Sequence, residues 1–171
     1  MESLETKVQY LLDRQAILDC IHRYARGLDR HDEDMLATAF HPDAVDNHGP
    51  RVADIPTFIR WVNDAHAGSF SAHSHHITCH NCEIDGDVAH TESYVLFVQK
   101  AKDGNQLAGG SGRYIDRLER RNGEWKIALR RLVIDWRFKA DDVTWDGPKS
   151  FPAGTWDHND MSYMRPLTVG R

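Results

Sequence analysis

Residues 71–100 read SAHSHHITCHNCEIDGDVAHTESYVLFVQK. Two alternating stretches, Ser71 to Ile84 and Val88 to Lys100, flank Asp85-Gly86-Asp87, a good hairpin turn, and predict two paired strands. A second hairpin pairs Gly110 to Arg121 with Glu124 to Phe138 across Asn122-Gly123, the strongest short hairpin signal in the chain. Asp103-Gly104-Asn105 connects the two hairpins. Upstream of residue 70 the hydrophobic period is helical instead. Leu4, Val8, Leu11, Leu12, Ile17, Ile21, Tyr24 and Leu28 recur at helical spacing over residues 4 to 28, leaving Glu5, Lys7, Asp13, Arg14 and Arg23 for solvent. Gly27 marks the end of that helix. Asp32 can cap a short second helix from Glu33 to Phe40, which His41-Pro42-Asp43 breaks. A short strand, Ala44 to Asn47, precedes a turn at His48-Gly49-Pro50, and Asp54 with Pro56 opens a third helix.

Three helices followed by four long antiparallel strands predict an α+β fold, with the helices on one face of a curved sheet. The 171 residues fit a single domain, with helices over about 4–66, the sheet over about 70–138 and a wrapping tail over 139–171. Hydrophobic residues make up 40% and charged residues 27%, which suits a globular protein with a substantial core. The net charge of −5 and the dispersed basic residues argue against nucleic-acid binding. There is no apolar run long enough to cross a membrane, and Met1 to Lys7 lack the basic and apolar regions of a secretory leader. A cytoplasmic location is therefore expected. Cys20, Cys79 and Cys82 are an odd number and give no disulfide framework.

Two places concentrate chemistry. The first is the histidine-rich strand. Side chains alternate between faces, so His73 and His75 share one face while His76 and His80 share the other. That alternation argues against four imidazoles on one ion. A zinc site would need loop ligands such as Asp43, Asp46 or His48, and no compact spacing of the H-E-x-x-H kind is present; no metal is expected. The ordinary role for any one of these histidines is a hydrogen-bonded surface or core residue, which is the reading for His76 and His80. The second place is the end of the first helix, where Cys20, Tyr24 and Leu28 form one stripe and Asp29 follows. A carboxylate there opposes the helix dipole. A solvated turn residue such as Asp32 or Asp34 is the ordinary alternative, but Asp29 can point inward one turn beyond Tyr24.

Tyr24 to Asp29, the pair His75-His76 before Glu83 to Asp87, Gly112 to Arg120, Asn122 to Ile127 and Asp160 to Leu167 together resemble, in order, the SnoaL-like branch of the nuclear transport factor 2-like superfamily. The resemblance covers nearly the whole chain. It implies a cone-shaped, strongly curved antiparallel sheet wrapped by three N-terminal helices, an α+β barrel of cystatin-like type, with a deep pocket at the open end. Members such as scytalone dehydratase, bile acid 7α-dehydratase and hexachlorocyclohexane dehydrochlorinase use an Asp–His pair inside the cone to remove a proton and expel a leaving group. By position, the resemblance carries the aspartate onto Asp29, the histidine onto His75 and a tyrosine onto Tyr24. It carries a pocket arginine onto Arg130, with Arg131 as the alternative one residue on. Such an enzyme needs no cofactor. Members are commonly dimers or trimers, so a homodimer or homotrimer is implied.

The pocket wall is expected from Phe58, Trp61, His73, Tyr94, Phe97, Tyr114, Arg131 and Trp136, which suits a small hydrophobic, aromatic or polycyclic compound bearing oxygen. Trp145, Phe151, Trp156 and Tyr163 of the tail would close the mouth or join subunits. Gly109-Gly110-Ser111-Gly112 is not a nucleotide loop and reads as a bulge or loop between strands. The leading expectation is a cofactor-independent lyase of dehydratase type with His75 as base and Asp29 as its partner. A carbon–carbon lyase releasing formaldehyde from a lignin-type diaryl compound, or an isomerase or cyclase, would use the same parts. A non-catalytic binding module, or the small subunit of a ring-hydroxylating dioxygenase, would need the cone and not the dyad. A metal-dependent hydrolase built on the histidines is a third class.

Overall fold

The computed structural model describes residues 2–104, 106–141 and 151–168. Its elements are α1 (Leu4–Arg30), α2 (Glu33–Thr38), β1 (Phe40–His48), β2 (Arg51–Asp54), α3 (Ile55–Ser69), β3 (Phe70–Asp85), β4 (Val88–Ala101), β5 (Gln106–Arg121) and β6 (Glu124–Asp141). A 3-10 turn, Met161–Tyr163, lies in the tail. The helices start where local chemistry permits: the side chains of Ser3, Asp32 and Asp54 accept from the backbone N–H groups of Thr6, Met35 and Thr57, satisfying donors that a helix start leaves free. Among the described residues no helix is long and apolar enough to cross a membrane.

The sheet has six strands in the order β2-β1-β6-β5-β4-β3. It is mixed rather than wholly antiparallel, because β1 runs parallel to β6. The expected short strand at Ala44 to Asn47 is thus longer and gains a partner: Phe40 and His41, read as helix and break, begin β1, and β2 adds an edge. The strand order begins at β2 and ends at β3, so the curved sheet stays open and does not close into a barrel. One stripe of α1 (Ile17, Cys20, Ile21, Tyr24, Leu28) packs with Phe58 and Val62 of α3 and the inner face of the sheet to form the core. The start of α1 departs from the periodic reading, since Leu4, Val8, Leu11 and Leu12 are exposed. Asp13, assigned to solvent by that reading, is buried instead: it accepts from Trp125 Nε1 at 2.9 Å and from Arg120 at 3.0 Å, pinning α1 to the last hairpin.

Three irregularities decide which side chains face inward. In β3 the register shifts between Ile77 and His80, so His80 turns onto the inner face, where its Nδ1 lies 2.8 Å from Ser93 Oγ. Strict alternation, which put His80 with His76, fails at that bulge. In β6 a shift opposite Arg117–Leu118 turns Arg130 inward and leaves Arg131 exposed. A further shift opposite Ser111–Gly112 turns Trp136 outward, where it is 52% exposed, and brings Arg137 inward beside Phe97. Gly109 to Gly112 lie inside β5 at this bulge rather than in a loop between strands. A Cβ on Gly110 would press on the Trp136 carbonyl oxygen and sit 3.1 Å from Phe97 Cζ, so only glycine lets the three strands approach there.

Gly110→Ala should therefore destabilise the fold by about 1–3 kcal/mol through overpacking. Gly68→Ala, in helix α3 with nothing near the added carbon, should be neutral or stabilise by up to about 1 kcal/mol. Urea unfolding of the two variants measures the contrast; equal effects would contradict the packing constraint.

Candidate active site

The C-terminus of α1 leaves carbonyls unpaired, as every helix end does. His31 follows in the left-handed region (φ 50°), and its N–H and that of Asp32 cap the Leu28 and Gly27 carbonyls. The Leu28 carbonyl also accepts from His73 Nε2 at 2.9 Å. Asp29 stands in this last turn, where the helix dipole disfavours a carboxylate by about 0.3–1 kcal/mol. Its compensation comes from β3. Oδ2 accepts the His75 backbone N–H at 2.9 Å, and Oδ1 accepts His75 Nδ1–H at 2.7 Å. One carboxylate thus fixes both the backbone and the ring of a residue 46 positions away. With Nδ1 donating, His75 Nε2 carries the lone pair.

His75 forms part of the wall of a cavity of about 520 Å³ between α3 and the inner sheet face. Trp61, Phe97, Tyr114 and Phe138 give that wall its aromatic character, and Val95, Leu132 and Ile134 its aliphatic part. The polar groups on it are His48, His66, His75, Gln99, Arg137 and Lys139. His48 has a carboxylate behind it: its Nδ1 is 3.2 Å from Oδ1 of the buried Asp46. His66 is held neutral by burial among other histidines, its pKa pushed down to about 2, and burial likewise lowers His73 to about 4.

The expected site residues divide into three groups. Asp29 and His75 come together, and Trp61, Phe97 and Tyr114 line the cavity beside His75. Tyr24, Arg130, Phe58 and His73 are buried in layers behind it and are not on its wall. Tyr24 and Arg130, expected beside a substrate, thus stand one layer behind the cavity wall. Arg130 makes a two-point pair with Asp116 at 2.7 and 2.6 Å, and its guanidinium lies 3.9 Å from the Tyr24 ring centroid and 4.1 Å from that of Tyr114. Tyr94, Arg131 and Trp136 stand on the outer side, all exposed. Tyr94 and Phe97 are three positions apart in one regular strand, so alternation alone separates them. In the tail, Trp156 stacks on His31 at 4.1 Å, Tyr163 donates to Asp32 at 2.6 Å and Phe151 is exposed; Trp145 lies outside the described residues.

Several cavity residues, among them His48, His66, Gln99, Arg137 and Lys139, are absent from the catalytic and pocket groups expected from the sequence. In the sequence His48 stands out only as a possible metal ligand, although alternation along β1 pairs it with Asp46 on one face. Arg137 was hidden by the β6 bulge, for which the glycines at 109, 110 and 112 were the available signal.

Arg130→Met leaves Asp116 buried without its partner and should cost about 3–5 kcal/mol of stability, much of it recovered by adding Asp116→Leu. Urea unfolding of the single and double variants tests this. A single-variant loss below about 1 kcal/mol would contradict a sealed structural pair.

Solved structures share this architecture. Rv3472, a protein of unknown function from Mycobacterium tuberculosis, is 29% identical, with 74% of each chain covered and a TM-score of 0.66. A type-2 hexachlorocyclohexane dehydrochlorinase (LinA) is 21% identical over 85% of this chain and 99% of its own, with a TM-score of 0.76. A scytalone-dehydratase-type protein from Novosphingobium aromaticivorans is 20% identical over 86% of this chain and 99% of its own, with a TM-score of 0.71. Among curated proteins none matches the chain significantly. The family model for the SnoaL-like domain matches residues 9–131, a span that takes in most of α1, all of α2 and α3, both members of the Asp29–His75 pair and most of the sheet, and the chain belongs to that SnoaL-like family.

Proposed function

We propose that the chain is a lyase in which His75 removes a proton from carbon and Asp29 holds the ring that does so. The observation that carries this reading is the 2.7 Å bond between His75 Nδ1 and Asp29 Oδ1 on a ring that forms part of an aromatic cavity wall. The likeness in fold to a dehydrochlorinase and to a dehydratase-type protein supports it.

In the proposed step the lone pair on His75 Nε2 takes a proton from carbon. The C–H electron pair becomes a C=C bond as the neighbouring C–O bond breaks. Asp29 stabilises the imidazolium formed in the same event. The departing oxygen takes a proton and leaves as water; His48, on the same wall with Asp46 behind it, is the group we assign to that delivery. Solvent then resets both imidazoles, so substrate divides into an unsaturated product and water with no change of oxidation state. The aromatic wall suits a substrate of one or a few rings, and Arg137 with Lys139 suits oxygen substituents that carry or develop negative charge.

The test is turnover of a panel of hydroxylated aromatic and alicyclic ketones, read as water loss by mass spectrometry and as deuterium uptake from solvent at the carbon beside the carbonyl. His75→Ala and Asp29→Asn should each lower kcat/KM by about 10²–10⁴-fold while thermal unfolding confirms a folded chain. Folded variants that keep activity within tenfold of the parent, or a parent chain inert toward both readouts, would overturn the assignment.

A further inference from the structure

Behind the dyad stands a second group of imidazoles that the proton-transfer scheme does not use. His31 follows the end of α1, His66 lies in the last turn of α3 and His73 is near the start of β3. One ring nitrogen from each lies within 4.8 Å of the other two. Three separate elements therefore deliver nitrogen donors to one point.

The hydrogen-bond accounting is unusual. Buried polar atoms are bonded in more than about nine cases in ten, and leaving one unpaired costs about 1–3 kcal/mol. Here His31 Nε2, His66 Nδ1 and His73 Nδ1 are all buried without a hydrogen-bond partner. For His73 the tautomer is fixed: Nε2–H donates to the Leu28 carbonyl at 2.9 Å, so Nδ1 bears a lone pair. A ring N–H given to a backbone carbonyl while the other nitrogen is free is the arrangement found behind metal-binding histidines. Burial lowers the pKa of all three imidazoles and keeps them neutral, so they repel no cation. A cation that takes lone pairs would satisfy an unpaired nitrogen on each of the three rings at once.

We propose that His31, His66 and His73 bind one divalent transition-metal ion of the zinc class. Three imidazoles are a common protein donor set for such an ion, which leaves a fourth position open. Zn–N bonds of about 2.0–2.1 Å in a tetrahedral set place the nitrogens roughly 3.4 Å apart, so modest ring rotations close the present spread. Trp156 stacks over His31 at 4.1 Å and over His73 at 5.0 Å, covering the site from the tail. His66 is also part of the cavity wall, so the ion would border the space in which His75 stands. This site does not depend on the lyase reading: it is tested by metal uptake, and that reading by turnover.

The experiment uses the untagged full chain, stripped with chelator and titrated with Co²⁺, followed by Zn²⁺ competition. One Co²⁺ per chain, with the visible absorption of a tetrahedral site and a rise in thermal midpoint, is expected because an ion that binds the folded state stabilises it. Loss of even a partner behind a ligand weakens metal binding by about 10–100-fold, so His31→Ala and His66→Ala should each weaken it by at least tenfold. His76→Ala, exposed on the other face, should not. Contact-shifted proton resonances from three imidazoles in the cobalt form identify the ligands without any substitution. Absence of stoichiometric uptake by the parent chain, fewer than three shifted imidazoles, or uptake unchanged in folded His31→Ala and His66→Ala would overturn the proposal.

Discussion

A carboxylate placed against a helix dipole survives only if something nearby repays it, and in this fold the repayment ties two distant parts of the chain together. Asp29 occupies the last turn of α1, the wrong end for a negative charge. Two donors of His75, one backbone and one ring, converge on it. Charge-assisted bonds of this kind are the stronger sort, about 1.5–3 kcal/mol each, and they outweigh the dipole term. The Leu28 carbonyl beside it is satisfied by His73 from the same strand. The helix end therefore gives β3 its position, and β3 gives the cavity its imidazole. Neither half is a sensible local structure without the other.

Beneath the cavity lies a different economy of charge. Arg130 and Asp116 are both fully enclosed, and burying two ions is unfavourable unless geometry and neighbouring groups compensate. Here the compensation is a two-point pair plus the faces of Tyr24 and Tyr114. Tyr114 is shared between this layer and the cavity wall, so the buried pair sets the position of a side chain on that wall. Arg130 thus acts at one remove, holding the floor of the cavity, while Arg137 is the arginine on the wall itself.

Local signals with a fixed physical meaning were legible in the sequence. Asn122-Gly123 takes positive φ at both residues, as a tight hairpin turn demands, and Asp54 with Pro56 does open a helix. The Asp29–His75 encounter was reachable only through family likeness, since no short-range rule joins residues 46 apart. What failed was alternation carried too far. A period of two assigns faces correctly until a bulge inserts one residue, and three of the register shifts in β3 and β6 fall beside residues of interest. They account for His80, for the choice between Arg130 and Arg131, and for the exchange of Trp136 by Arg137. Tyr94 is another case: β4 is regular, and alternation places it opposite Phe97. The parallel pairing of β1 with β6 left no local mark, because a crossover partner is chosen by tertiary packing.

The whole arrangement rests on Asp29 fixing the tautomer of His75. Nitrogen-15 NMR of the histidine-labelled chain measures this directly. The expected result is a His75 ring protonated at Nδ1, with a strongly downfield Nδ1 proton that disappears in Asp29→Asn while Nε2 stays unprotonated in the parent chain. A His75 ring protonated at Nε2, or one whose Nδ1 proton is indifferent to Asp29→Asn, would contradict it.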